Sequence, residues 1–143
     1  VVIVALILIG VGIALGRAFQ ESGVKYSDLK AGDCFQQPSG RFNKVKTVPC
    51  TADHDLEVYA VLDDPAPPKA PFPGGDALVR YANPLCLAQF RTYAGVAFEQ
   101  VNLRDVYITP RQSAWNDGAR RLVCAVGTNN GERTNKSIKA GTK

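Results

Sequence analysis

The sequence predicts an α+β protein: an N-terminal transmembrane helix, then a small antiparallel sheet packed on one kinked or split helix, with two disulfides. Three observations carry this expectation. Residues 1–19 hold no charge before Arg17. Four cysteines, Cys34, Cys50, Cys86 and Cys124, all fall after that stretch. Between them, short alternating runs are interrupted by a single helical pattern over residues 76–93.

The opening stretch reads VVIVALILIGVGIALGRAF. As a helix it would be about 28 Å long, close to the ~30 Å hydrocarbon core of a bilayer. Gly12 and Gly16 form a G-x-x-x-G pair inside it, a groove along which a second membrane helix can approach closely. A cleaved secretory signal is the competing reading, with Ala14-Leu15-Gly16 as its cleavage site; length favours the span. The chain begins at Val1 and contains no Met, so a processed or partial product is expected. The expected organisation is therefore a span over 1–19, a linker over 20–25, a disulfide-bonded domain over 26–127 and a basic flexible tail over 128–143.

An even set of widely spaced cysteines without a C-x-x-C pair reads as two disulfides rather than a metal site. Four cysteines allow three pairings. The favoured one is Cys34–Cys50, closing a local loop, with Cys86–Cys124 tying the helix to a late strand. Disulfides persist in oxidising compartments. The expected location is thus the cell membrane, single-pass, with the N-terminus cytoplasmic and the C-terminal domain extracytoplasmic, on the periplasmic side.

The net charge is +4. From Thr128 onward, Arg133, Lys136, Lys139 and Lys143 oppose only Glu132, so most of the surplus lies in the tail. A solvated terminus, or one touching anionic lipid or an acidic neighbour, is expected rather than a nucleic-acid site.

Along the domain, Lys30-Ala31-Gly32-Asp33 marks a turn into a short strand at Cys34-Phe35, and Gln37-Pro38-Ser39-Gly40 marks another turn. Residues 43–49 alternate as a strand ending at Cys50. Residues 56–62 form a further strand, which puts Leu56, Val58, Ala60 and Leu62 on one face. His54, the only histidine, precedes it between Asp53 and Asp55. A metal site there lacks further ligands, and a catalytic triad lacks a serine in a nucleophile elbow. The expected role of His54 is structural hydrogen bonding at the strand entry, with Glu57 as a partner.

Residues 63–75, DDPAPPKAPFPGG, carry five of the nine prolines and read as an extended surface loop. A helix follows, capped by Asp76 and ended by Gly95, with Leu78, Ala82, Cys86, Phe90 and Tyr93 as its core stripe. Asn83-Pro84 either kinks it or restarts a second helix. Val106-Tyr107-Ile108 is a strand, Asn116-Asp117-Gly118 a turn, and residues 121–126 a last strand with Leu122 and Cys124 on one face. Trp115 is expected at the core edge near the second disulfide. Arg120 or Arg121 is expected to bond a carboxylate such as Asp105.

Taken in order, the motifs Leu29-x-x-Gly32-Asp33-Cys34-Phe35, Val48-x-Cys50-x-x-x-His54-x-x-Glu57-Val58, Phe72-Pro73-Gly74, Cys86-x-x-x-Phe90-x-x-Tyr93-x-Gly95 and Pro110-x-x-x-x-Trp115-x-x-Gly118-x-Arg120-x-x-x-Cys124 resemble the septum-formation domain of actinobacteria. The resemblance covers nearly all of the chain after residue 28. It implies a membrane-tethered, extracytoplasmic domain with two disulfides, a link to division, and no enzymatic activity. Members also look like small accessory subunits of larger membrane assemblies. The cysteines, His54 and Trp115 carry over as scaffold positions.

The expected function is that of a non-enzymatic accessory or scaffolding subunit. It would dock on integral membrane protein subunits of a respiratory or cell-division assembly, through its helix in the lipid bilayer and through its domain. His54, Glu57, Trp115 and Arg120 are the structural or interaction residues. No catalytic residue, metal or cofactor is expected. The alternative is a cell-wall or small-ligand binding domain using exposed aromatics such as Tyr107 and Trp115.

Overall fold

Short β-rich runs separated by turn residues form the body of the protein. The computed structural model describes residues 23–37 and 43–142. The strands are β1 (Val24–Lys25), β2 (Cys34–Gln36), β3 (Lys44–Val48), β4 (Leu56–Asp63), β5 (Leu103–Ile108) and β6 (Arg121–Thr128). They pair in the order β1-β3-β2-β4-β6-β5, every neighbour antiparallel. Among the described residues two α-helices join them, α1 (Gly75–Ala94) and α2 (Gln112–Asn116).

The expected single-pass architecture is corrected here. Among the described residues no helix is long and apolar enough to cross a membrane. The stretch 1–19, with Gly12 and Gly16, lies outside the described residues, so neither the span nor the single-pass localisation finds support. The expected linker also changes at its end, because Val24 and Lys25 pair with Val45 and Lys44 as an edge of the sheet.

Of the two expected forms of the helix, kinked or split, the split one is excluded. The helix runs through Pro84 without interruption, starting after Gly74, with Asp76 in its first turn rather than at the cap. Proline forfeits one backbone bond and normally costs ~3 kcal/mol inside a helix. Pro84 sits on the exposed side, while Leu78, Ala82, Cys86 and Phe90 continue the buried stripe on either side of it. Packing of that stripe outweighs the local defect. Gly95 ends the helix with φ 75°, its N–H donating to the Arg91 carbonyl.

A β-bulge in β4 decides what each side of the sheet is made of. Val58 pairs with Ala125 but Ala60 pairs with Cys124, leaving Tyr59 as the extra residue. Leu56 and Val58 therefore join Leu29, Phe35, Val45 and Val123 on one face. Tyr59 and Ala60 join Leu78, Phe90, Leu122 and Cys124 on the face covered by α1, with the partly buried Leu62 packed against them. Strict alternation would have kept all four apolar residues of β4 together; the inserted residue flips the second pair.

Both favoured disulfides are present: Cys34–Cys50 and Cys86–Cys124, with Cα atoms 5.2 and 5.9 Å apart. The second joins α1 to β6 inside the core, where both cysteines are wholly buried. Phe90 adds edge-to-face contacts to Tyr59 and Phe98, each with centroids 5.2 Å apart.

Candidate functional site

Two buried polar centres hold the irregular segments onto this frame, and they contain the residues of greatest chemical interest. His54 and Glu57 stand at the entry of β4 and are almost wholly buried. The Nδ1 of His54 lies 2.9 Å from the Ala52 carbonyl. A carbonyl only accepts, so Nδ1 carries the proton and donates it. The His54 backbone exchanges both hydrogen bonds with Thr134, at 2.9 and 3.0 Å.

Glu57 is not the partner of the imidazole. Its Oε1 accepts from the hydroxyls of Tyr93 and Ser137, each at 2.7 Å, and its Oε2 accepts from the Ile138 N–H at 2.9 Å. Burial, followed by this bond to Glu57, raises the pKa of the Tyr93 phenol well above its usual value. Thus residues 134–138, expected within a flexible tail, lie against the body as a strap, with Ile138 packed on the core. The Ala140 N–H also donates to the Tyr93 carbonyl.

Cys34, His54 and Glu57 offer ligand atoms within 4.8 Å of one another. The Cys34 sulfur is bonded to Cys50, however, and a disulfide sulfur is not the thiolate that a metal takes. The donor set does not fit a metal while that bond stands.

The second centre is Trp115 with Arg120. Trp115 is 1% exposed, and its indole N–H donates to the Ala70 carbonyl at 2.8 Å. The Arg120 guanidinium lies 3.8 Å over the indole ring and donates to the carbonyls of Ala66, Pro67, Trp115 and Ala119. Together they clamp the proline-rich loop, and Phe72 packs edge-on against Trp115 at 6.0 Å. Neither Arg120 nor Arg121 bonds a carboxylate among the described residues, against the expected pairing of one of them with a group such as Asp105. Asp105 instead accepts from the Tyr59 and Tyr107 hydroxyls, and Asn83 of α1 donates to Tyr107 at 2.6 Å. Burial first, and then Asp105, raises the pKa of both phenols.

These placements bear on the ligand-binding alternative. Trp115 presents no free ring for stacking, and the Tyr107 hydroxyl is already engaged on both sides.

The open feature lies on the other side of the sheet. A cleft of about 850 Å³ crosses the face that α1 does not cover. Its apolar floor comes from Phe35, Leu56, Val106, Ile108 and Val123. Its rim carries three cations, Lys25, Arg111 and Arg121, against one carboxylate, Asp117. Arg121 donates from one terminal nitrogen to the Leu29 carbonyl at 3.1 Å. Its buried Nε has no hydrogen-bond partner among the described residues. Sequence reasoning missed this site because it assembles from five separate stretches of chain, around Tyr26, Phe35, Asn43, Leu56 and residues 106–123, none of them a motif. The signal that was available was Arg121 next to a strand reading, where a cation is out of place.

Comparison with known proteins gives one match. Residues 31–142 match the family described as septum formation. No curated protein and no solved structure matches the chain. Nothing in the family match points to a respiratory assembly. The matched span includes both disulfides, both polar centres and most of the cleft, and the chain belongs to the septum-formation family.

Proposed function

We propose that this domain is a non-enzymatic adaptor in septum formation, holding a partner protein through the cleft on its open sheet face. Family membership supports the link to cell division. Two disulfides support action in an oxidising compartment outside the cytoplasm. The observation that carries the adaptor reading is how the reactive groups are spent. The donor on His54 Nδ1, both Glu57 oxygens and four Arg120 bonds are committed to fixing the chain's own segments. The large concave surface, by contrast, is lined by apolar side chains and cations.

The test is complementation of a deletion strain, scored by septum placement and cell length. His54→Asn keeps a donor near the Nδ1 position but removes the imidazole base. If the role is non-catalytic, a folded His54→Asn protein restores division as well as the wild type. A variant with native melting behaviour that fails to restore division would overturn the reading.

A further inference from the structure

Arg121 opens β6, pairs in register with Asp63 of β4 and lines the cleft, and its environment is unusual for an arginine. One terminal nitrogen is fixed on a backbone carbonyl, while the buried Nε–H has no acceptor among the described residues. A buried donor left without a partner costs ~1–3 kcal/mol, so it normally marks where an acceptor belongs. Guanidinium groups take carboxylates through two parallel bonds, which makes a carboxylate the natural acceptor.

The rest of the cleft extends that argument. Arg111, which is exposed, and Lys25 stand on the same rim, and only Asp117 opposes them. Beneath them the floor is a run of sheet side chains from β2, β4, β5 and β6. A ligand that fits must offer apolar side chains downward and carboxylates toward the rim. An extended polypeptide does this by alternation, since successive side chains point to opposite sides. Pairing along the β5 edge is a poorer solution, because the Asp105 carboxyl already accepts from the Val106 N–H at 3.1 Å.

We infer that the cleft binds an extended acidic segment of a partner protein, its carboxylates held by Arg121 and Arg111 and its apolar residues lying on the partly exposed Val106 and Ile108. This rests on the adaptor reading above and supplies the chemistry of the partner.

The experiment uses the disulfide-bonded chain and a fluorescein-labelled decapeptide alternating Asp or Glu with Val or Leu. A matched peptide carries Asn and Gln in place of the acids. Anisotropy gives affinity, and amide chemical shifts give the place of binding. The acidic peptide is expected to bind at least tenfold more tightly than its amide counterpart, shifting amides of Val106, Ile108 and Ser113. Arg111→Glu, on an exposed side chain, should weaken it tenfold or more. The same variant should bind a Lys-containing version of the peptide better than the wild type does. Equal binding of acidic and amide peptides, or shifts confined to other faces, would overturn the proposal. So would inorganic polyphosphate binding the same amides more tightly than the peptide, which would point to a polyanion instead. Failure here with successful His54→Asn complementation would leave the adaptor reading standing and remove only this occupant.

Discussion

Ser137 donates its hydroxyl to the buried carboxyl of Glu57 at 2.7 Å, joining residues 80 apart in the chain. With the Tyr93 hydroxyl and the Ile138 N–H on the same group, one side chain ties α1 and the C-terminal strap to the start of β4. Replacing Glu57 by Ala leaves these donors without their acceptor. A loss of about 3 kcal/mol is expected, since each stranded buried donor costs ~1–3 kcal/mol. Denaturant unfolding measures the loss. Hydrogen exchange at the Ile138 amide should accelerate more than exchange in β6.

Trp115→Ala should be the most damaging single change near the proline-rich loop. It removes a fully buried indole, the cation–π partner of Arg120 and the bond to the Ala70 carbonyl. About 3–5 kcal/mol is expected for such a truncation. Arg120→Lys keeps the charge but not the fork that reaches four carbonyls. It should loosen residues 64–74 to proteolysis while leaving the sheet intact, which mapping of the cleavage sites would check.

The two disulfides should differ in worth. The closed loops have sequence separations of 16 and 38 residues, for which chain entropy gives ~3 and ~4 kcal/mol respectively. The second also fills the core between α1 and β6, so Cys86→Ala/Cys124→Ala should lose more stability than Cys34→Ala/Cys50→Ala. Thermal melts of the two double variants decide the order.

Alkaline pH should unfold the domain through its tyrosines. Burial raises the phenol pKa of Tyr59, Tyr93 and Tyr107 in the folded state above the usual value near 10. The native state then holds protons that the unfolded chain releases, so the contribution of these tyrosines is constant below about pH 10 and falls as pH rises beyond it. Tyrosinate absorbance at 295 nm should appear together with loss of structure rather than before it. Tyr59→Phe should reduce that pH dependence.

Gly127 sets a separate steric limit. A Cβ built there would lie 2.8 Å from the Asp55 carbonyl oxygen and 3.0 Å from a Leu56 methyl. Gly127→Ala should therefore force β6 away from the β4 entry, costing ~1–3 kcal/mol as an overpacking change. The effect is readable in a denaturation midpoint.

Much of the frame was legible from local pattern. The buried stripe of α1, the stop at Gly95, the pairing of the cysteines and the shared face of Leu122 and Cys124 follow from spacing and residue chemistry. These depend on neighbours in sequence or on a small number of alternatives. The course of β4 did not follow, because a bulge is set by how two strands register and not by either strand alone. Pro84 left a kinked and a split helix both open for a similar reason: its local cost is real, but the disulfide and core contacts on both sides of it are not visible in the helix itself. The strap was equally hidden, since residues 134–138 carry no periodic pattern and gain their place from the Glu57 carboxyl, the Thr134–His54 pairing and the packing of Ile138 on the core.

The order of residues sets the chemistry available to this protein: four cysteines that pair, one histidine, one tryptophan, and a helix able to bury a single stripe. How that chemistry is spent follows from the packing of distant segments. That packing turned His54, Glu57, Trp115 and Arg120 inward as clamps, and it gathered Lys25, Arg111 and Arg121 beside an apolar floor. Burial and partnership are properties of three-dimensional neighbours, and the long-range ones here lie 36 to 92 positions apart in the chain.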